Sequence, residues 1–286
     1  MIRRRLNGPV LALIAQISAT AAISLLAIHT AGAGTASVAV QAAAFLIGVM
    51  ALWAASRTGR PGRGPRLIVA LAILVVAVLV LTTGVEMQGA HRWLALGPVL
   101  IHPASLLGAP LLWLVAQDAD DVWTAGVAAL AILTFGVGFD GAASLAFAVG
   151  ATGLLTAARG SWKTLAPLAA LSWILALWSL TRSQALPRVP YVEDVVPTVW
   201  AVAPVLGVAA VIALILLSVP LLWVGWRARA AGAAGLAMAG FWIGLSAANL
   251  LGAYPAPVVG YGASPVIGWL VAIGLAMASA RRTRFQ

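Results

Sequence analysis

Carboxylates are the first candidates for acid–base chemistry, because acidic residues are scarce in this chain and four of them share one side of it. The chain has only seven acidic residues among 286. Glu86, Asp140, Glu193 and Asp194 lie at the ends of apolar runs, on the side opposite to most of the basic residues. A carboxylate at such a boundary can act as a general base that removes a proton from a hydroxyl group. Capping of the following helix is the alternative role for Asp140, Glu193 and Asp194, because aspartate favours that position.

A second group of candidates lies in the stretch G-A-H-R-W-L-A-L-G-P-V-L-I-H-P-A-S, from Gly89 to Ser105. It places His91, Arg92, Trp93 and His102 between two apolar runs. Ionisable groups are costly near a membrane interior and are typical of functional sites there. A guanidinium also binds phosphate groups through two parallel hydrogen bonds. Arg92 is therefore a candidate for binding a phosphorylated ligand.

The composition of the chain defines the environment of these residues. The sequence is 63% hydrophobic and 8% charged, and its mean hydropathy is +1.04. A soluble domain has about 25% charged residues, so this chain is predicted to be a polytopic membrane protein. The absence of Cys excludes disulfides, thiolate metal sites and cysteine nucleophiles. The net charge of +10 lies in clusters between apolar runs, which indicates membrane topology rather than nucleic-acid binding.

Apolar runs predict an all-α protein with about ten transmembrane helices, since about 20 apolar residues cross the hydrocarbon core. The predicted spans are 9–29, 37–55, 66–84, 98–116, 122–137, 141–158, 164–181, 198–224, 232–251 and 260–280. The fifth and sixth runs are short, so a single re-entrant pair that breaks around Asp140 is an alternative. All of residues 1–286 are predicted to form one integral membrane domain.

The basic residues predict that the N- and C-termini are both cytoplasmic. With ten spans, 14 of the 17 basic residues fall on the side that also holds the two termini. Only Arg92, Arg182 and Arg188 fall on the other side. Basic residues are enriched in cytoplasmic loops, so the sparsely basic side is expected to face outward. The candidate carboxylates named above lie on this outer side.

The stretch from Gly89 to Ser105 resembles the signature G-A-x-R-W-L-x-L-G-x-x-x-x-Q-P-S-E of the SEDS (shape, elongation, division and sporulation) family. These are the FtsW/RodA/SpoVE-type membrane peptidoglycan glycosyltransferases. The matching positions are Gly89, Ala90, Arg92, Trp93, Leu94, Leu96, Gly97 and Pro103. The last part of the motif differs, because His102, Ala104 and Ser105 stand where the family has Gln, Ser and Glu.

A second match covers residues 182–194, R-S-Q-A-L-P-R-V-P-Y-V-E-D. This segment is similar to the family's S-Q-x-x-L-P, which leads into H-T-D-F-I-F-x-V at the start of the eighth helix. The matching positions are Ser183, Gln184, Leu186, Pro187, Asp194 and Val199. The family's aspartate at this place is its proposed catalytic residue, so the resemblance implies that role for Asp194. A glycosyl transfer needs a base for the acceptor hydroxyl, which a carboxylate can supply.

A third match covers residues 255–264, P-A-P-V-V-G-Y-G-A-S, which resemble the family's P-L-P-F-x-S-Y-G-G-S before the last helix. The matching positions are Pro255, Pro257, Val259, Tyr261, Gly262 and Ser264. Non-helical backbone at membrane depth is tolerated only where it faces protein or a watery cavity. Residues 139–143, F-D-G-A-A, resemble the family's P-D-x-G-T-A with one residue missing.

The resemblance extends over essentially the whole chain and implies a SEDS-like protein of the bacterial plasma membrane. It implies polymerisation of lipid II, the undecaprenyl-linked disaccharide-peptide, at the outer leaflet during cell division or elongation. Asp194 is the expected catalytic base, and Arg92 and Arg188 are expected to bind pyrophosphate. The full set of expected substrate-binding residues is Arg92, Trp93, His102, Arg188, Gln184, Asp140, Glu193 and Tyr261.

The implied partners are membrane lipids, the polyprenyl-linked substrate and a class B penicillin-binding protein, with no nucleic acid. No metal-binding motif is evident, because three His and few carboxylates do not make a metal centre, and the cofactor is left open, a divalent cation included.

Departures from the family pattern keep two other functions open. The segment between Trp178 and Gln184 has no counterpart of the family's D-P-x-G-x-G-Y-Q, so the loop before the eighth helix is shortened. The fourth-helix Glu is Ser105, and the Glu-Glu after the catalytic aspartate is Val202-Ala203. A non-catalytic partner or scaffold in a cell-wall synthesis complex is therefore the alternative to an enzyme. A lipid flippase or transporter is a more distant one, because the internal repeats common in transporters are not found here.

Overall fold

The computed structural model describes residues 8–87, 89–97, 99–181, 190–227 and 232–282. Twelve α-helices and three short strands make up its regular structure, with a 3₁₀ turn at Arg159–Ser161 before α7. The helices are α1 (Gly8–Thr30), α2 (Thr35–Ala55), α3 (Arg63–Thr83), α4 (Pro103–Ala116), α5 (Val122–Val137), α6 (Gly141–Ala157), α7 (Trp162–Thr181), α8 (Val195–Val202), α9 (Pro204–Leu216), α10 (Val219–Arg227), α11 (Gly232–Leu251) and α12 (Ala263–Arg282). The strands are β1 (Val85–Met87), β2 (Ala90–Leu96) and β3 (Val99–Ile101).

The described residues contain seven candidate membrane spans and three shorter apolar helices. The seven are long and apolar enough to cross a membrane, counting α9 and α10 as one, and α4, α5 and α6 are the three shorter helices. The protein is therefore an all-α polytopic membrane protein, as the apolar runs predict. The cytoplasmic location of both termini stays a prediction from the basic residues.

The fourth predicted span begins too early, because residues 99–101 form a strand rather than the start of a helix. Val99, Leu100 and Ile101 pair with β2, and β2 pairs with β1, in an antiparallel sheet of order β1-β2-β3. A short apolar run does not distinguish a strand from a buried helical turn. The helix α4 begins only at Pro103, where the fixed φ of proline suits the first helical position.

The eighth predicted span is not one continuous helix. It divides into α8, α9 and α10, and Ala203 between the first two has the non-helical angles φ −141° and ψ 80°. Pro204 causes this break, because its ring disfavours helical angles in the preceding residue. Pro204 itself opens α9 as its first residue.

The fifth and sixth runs form two separate helices and not a re-entrant pair. One end of α5 holds Asp121, which pairs with Arg66 of α3, and Asp140 follows its other end and contacts His102. The return helix α6 packs along α11 through small residues. A Cβ on Gly244 would lie 2.5 Å from the Ala146 Cα, so these two helices approach to a distance that only glycine permits.

Candidate functional site

The strand β2 is fixed to the turn between α5 and α6 by backbone and side-chain contacts. The His91 N–H donates to the Gly138 carbonyl at 2.9 Å. The Nε and Nη2 groups of Arg92 both donate to the Phe139 carbonyl, at 3.3 and 3.1 Å. Phe139 has a φ of 58°, a left-handed conformation that is strained for a bulky residue. Arg92 therefore binds the carbonyl of a strained turn directly before Asp140.

The Arg92 side chain is buried among aromatic rings. The residue is 6% exposed, and its Cζ lies 5.1 Å from the centre of the Tyr254 ring and 5.8 Å from that of Trp93. Its Nη1 is buried and has no hydrogen-bond partner within the described parts of the chain. One donor of Arg92 is thus left available in an otherwise satisfied contact.

Asp140 is a buried carboxylate at the start of α6 and is 1% exposed. Its Oδ1 accepts the Ala143 N–H at 3.1 Å, so the side chain caps the helix as aspartate commonly does. Its Oδ2 lies 2.9 Å from the Nε2 of His102. That contact is short but does not reach the geometry of a full hydrogen bond, so it is best described as a close polar contact. The capping role considered for Asp140 is therefore present, together with a histidine contact.

His102 connects the starts of three helices. It is the N-cap of α4, and its Nδ1 accepts the Ser105 N–H at 3.2 Å. Its backbone N–H donates to the Ser264 Oγ at the start of α12, at 2.9 Å. Its ring also lies 6.2 Å from that of Trp93, measured between centroids. The first and third sequence motifs thus meet at His102.

The non-helical segment 252–262 between α11 and α12 is held by a glutamine that the sequence analysis did not select. Gln41 of α2 is fully buried, and its Nε2 donates to the Val258 and Gly260 carbonyls at 3.2 and 3.1 Å. Its Oε1 accepts the Gly262 N–H at 3.0 Å. A buried amide needs hydrogen-bond partners, and here the partners are backbone groups of the non-helical segment, which make no helical hydrogen bonds. A lone Gln within an apolar helix was the available sequence signal.

The same segment holds the residues that precede α8. The Tyr261 N–H donates to the Tyr191 carbonyl at 2.8 Å, and the two tyrosine rings pack edge to face. The side chain of Asn249 on α11 donates to the carbonyls of Glu193 and Tyr254, at 3.1 and 2.7 Å. Asn249 therefore links the turn before Asp194 to the backbone of Tyr254, whose ring packs on Arg92. It too was missed from the sequence.

Asp194 is the half-buried N-cap residue of α8. Its carboxylate accepts no capping hydrogen bond from the described first turn of this helix, in contrast to that of Asp140. The neighbouring Glu193 is buried. Gln184 and Arg188, which were predicted to bind substrate, lie outside the described residues.

The predicted site residues fall into two adjoining groups. Arg92, Trp93, His102 and Asp140 form the first, which we call the outer cluster together with Tyr254. The second consists of Glu193, Asp194 and Tyr261, with Tyr191 between them. Within the described residues, no group of three or more His, Asp or Glu side chains could hold a metal ion.

This architecture is shared with solved structures, although no protein-family model and no curated protein sequence matches the chain. Among solved structures, the chain is similar to the rod shape determining protein RodA of Thermus thermophilus, with a TM-score of 0.70 and 21% identity over 96% of this chain and 97% of that one. A mutant of the same RodA gives a TM-score of 0.70 at 18% identity, over 96% of this chain and 98% of that one.

A third similar chain comes from a peptidoglycan synthase complex that coordinates polymerization and crosslinking. Its TM-score is 0.66 at 19% identity, over 96% of this chain and 98% of that one. The likeness to these structures, at identities this low, concerns the fold. The protein is thus a multi-pass helical membrane protein. More particularly, it has a SEDS-type fold, as the three sequence motifs predict.

Proposed function

We propose that this protein is a peptidoglycan glycosyltransferase of the bacterial plasma membrane, acting in cell division or elongation. Its substrate would be lipid II, the undecaprenyl-linked disaccharide-peptide, at the outer leaflet. The SEDS-type fold supports the class of activity, and the three motifs support the position of the site. A class B penicillin-binding protein is the proposed partner, a proposal supported by the similarity to a chain of a peptidoglycan synthase complex.

The observation that carries this proposal is the placement of the Asp194 carboxylate. Asp121, Asp140 and Asp194 each precede a helix, and the first two accept a backbone hydrogen bond from its first turn. Asp194 accepts none from the described first turn of α8, although it holds the same position. The side chain is half-buried at the start of α8, where the motif resemblance places the general base. Its turn packs on the segment that reaches Arg92 through Tyr254.

In the proposed reaction, Asp194 removes the proton from the acceptor sugar hydroxyl as that oxygen attacks the anomeric carbon of the donor. The bond from this carbon to the lipid pyrophosphate breaks, and the pyrophosphate leaves with the bonding electrons. Arg92, through its remaining Nη1 donor, and Arg188 would neutralise the charge on the leaving group. Trp93, His102, Asp140, Gln184, Glu193 and Tyr261 complete the proposed surroundings of the substrate.

The decisive experiment replaces Asp194 with Asn. Asn keeps the shape of the side chain and the ability to cap a helix, but it cannot act as a base. We expect glycan chain formation from purified lipid II to fall by roughly a hundredfold to ten-thousandfold. The matched control is Asp120→Asn, an exposed aspartate in the turn before α5, which should leave synthesis unchanged. Undiminished synthesis by the Asp194 variant would remove this residue from the mechanism.

A non-catalytic role in a cell-wall synthesis complex is the second candidate, and the burial of Arg92 favours it. Two of the nitrogens of this arginine are committed to the Phe139 carbonyl, and the residue is 6% exposed. A scaffold needs this turn to be rigid but needs no free cation. Wild-type protein that forms a complex with a class B penicillin-binding protein, yet makes no glycan alone or in that complex, would establish this second role.

A further inference from the structure

His102 departs from the SEDS pattern, and its contacts define a specific chemical state. The residue stands where the family signature has Gln. Its Nδ1 accepts the Ser105 N–H, while the Ser105 hydroxyl donates back to the His102 carbonyl at 3.0 Å. The first of these contacts satisfies a backbone N–H of the first turn of α4, which has no partner within the helix. The Nδ1 atom therefore serves as an acceptor.

An accepting ring nitrogen determines where the proton of the histidine lies. In a neutral imidazole one nitrogen donates and the other accepts, and the contact of one determines the state of the other. Because Nδ1 accepts, the proton lies on Nε2, which is 2.9 Å from the Oδ2 of Asp140. A second proton on Nδ1 would face the Ser105 N–H, and two donors would then oppose each other.

The burial of the ring supports the same state. Asp140 approaches it from the start of α6, Arg92 and His91 lie on β2, and Tyr254 lies between α11 and α12. The Arg92 guanidinium also lies close enough to the Asp140 carboxylate to interact with its charge. The side chains of His102 and Asp140 are 13% and 2% exposed, so an additional charge on the ring would be poorly solvated.

We infer that His102 is held as the neutral tautomer with its proton on Nε2, and that in this state it is a positioning residue that joins the start of α4 to the Asp140 carboxylate. A glutamine at this position has the same two functions, because its carbonyl accepts and its amide donates. The inference does not depend on the proposed glycosyltransferase activity. It concerns the shape of the outer cluster in either of the two roles.

Nitrogen NMR of the histidine rings tests the tautomer directly. The His29→Gln/His91→Gln double variant leaves His102 as the only histidine of the full-length chain. This protein, labelled with ¹⁵N-histidine in lipid nanodiscs, should show an unprotonated Nδ1 and a protonated Nε2 at neutral pH. A proton on Nδ1, alone or together with one on Nε2, would overturn the inference.

Thermal unfolding in the same nanodiscs tests the connection between the helices. We expect His102→Gln to keep the wild-type Tm within about 2 °C, because both polar contacts are retained. His102→Leu leaves the Ser105 N–H and the Asp140 carboxylate without this partner, so its Tm should fall by roughly 5 °C or more. Equal losses in the two variants would refute the role of His102 as a connector. If the Leu variant does not fold, the ring NMR still decides the inference.

Discussion

An aspartate lies beside each end of α5, and the arginine near each aspartate makes a different kind of contact. Asp121 precedes the helix and belongs to what we call the inner cluster, formed with Arg63, Arg66 and Asp118. Asp140 follows the helix and belongs to the outer cluster. The inner cluster lies on the predicted cytoplasmic side and the outer cluster on the opposite one. Both aspartates cap a helix, so the two clusters differ mainly in the contacts of their arginines.

In the inner cluster, positive and negative groups pair directly. Arg66 is 4% exposed, and its Nη2 lies 2.9 Å from Asp118 Oδ2 and 3.3 Å from Asp121 Oδ2. Arg63 adds a contact of 3.5 Å to Asp121 from a largely exposed position. The Asp121 carboxylate also accepts from the Thr124 hydroxyl at 2.8 Å. These contacts tie α3 to the turn before α5, a structural role that needs no ligand.

In the outer cluster, the arginine contacts a backbone carbonyl and the carboxylate contacts a histidine. Arg92 donates to Phe139, whereas Asp140 meets His102. The guanidinium charge is thus held near the carboxylate without direct pairing, within the described residues. A site built for stability alone would pair the two charges as the inner cluster does. The difference indicates that the outer cluster preserves a positioned cation and a fixed turn.

The largest expected effect follows from removing the arginine of the inner cluster. Arg66→Met leaves Asp121 buried without its closest cation, and loss of one partner from a buried pair costs about 3–5 kcal/mol. The free energy of unfolding, measured by denaturant titration in detergent micelles, should fall by about 3 kcal/mol. The control is Arg57→Met, since Arg57 packs over the exposed Trp53 ring and should contribute little. A loss below about 1 kcal/mol would mean that the inner cluster does not tie the helices together.

Replacing each arginine by lysine sharpens the comparison. A single Arg66 nitrogen makes both of its carboxylate contacts, so an ammonium group can substitute and Arg66→Lys should cost less than about 1 kcal/mol. Arg92 donates through two nitrogens to one carbonyl, so Arg92→Lys should cost about 2 kcal/mol through the loss of this two-nitrogen contact.

The same unfolding titration measures both lysine variants. If Arg92 is only an interfacial anchor, lysine serves equally well there. Equal and small losses of unfolding free energy in the two variants would show that the two arginines contribute to stability in the same way. Glycan synthesis by the Arg92→Lys variant gives a second readout, and activity equal to that of the wild type would remove Arg92 from the proposed substrate contacts.

The helices could be predicted from the sequence, because apolar length is a strong local signal. The contact between His102 and Ser264 was not predicted, because it depends on tertiary packing. The sheet at residues 85–101 was not predicted, since its apolar strand β3 resembles the start of a helix in hydropathy alone.

The contacts within the site depend on tertiary geometry that the sequence does not display. The contact of Arg92 with the Phe139 carbonyl requires the left-handed conformation of Phe139, and nothing local to Phe139 predicts that conformation. Gln41 and Asn249 are different, because each is a lone amide in an apolar helix. Such amides need buried partners, so both could have been selected as residues that hold non-helical backbone.

The smallest expected effect concerns the pH dependence of the inner cluster. Burial raises the pKa of Asp121, but hydrogen bonds from Thr124 and Trp123 and the charge of Arg63 outweigh it and hold the pKa below its ordinary value. A carboxyl with a lowered pKa in the folded state stabilises the fold above its unfolded pKa of about 4. That contribution is lost as the pH falls through the lower folded-state value. Asp121→Asn keeps the cap and removes the charge, so it should cost about 1 kcal/mol at pH 7.

This penalty should shrink toward zero as the pH falls below about 4, because the wild-type carboxyl then becomes neutral as well. The measurement is the difference in unfolding free energy between wild type and Asp121→Asn from pH 7 to pH 3. The exposed Asp120→Asn variant is the control and should show no such trend. A penalty that stays constant over this range would mean that the charge of Asp121 contributes nothing. The inner cluster would then be held by hydrogen bonds that do not depend on the carboxylate charge, and its contrast with the outer cluster would no longer rest on ion pairing.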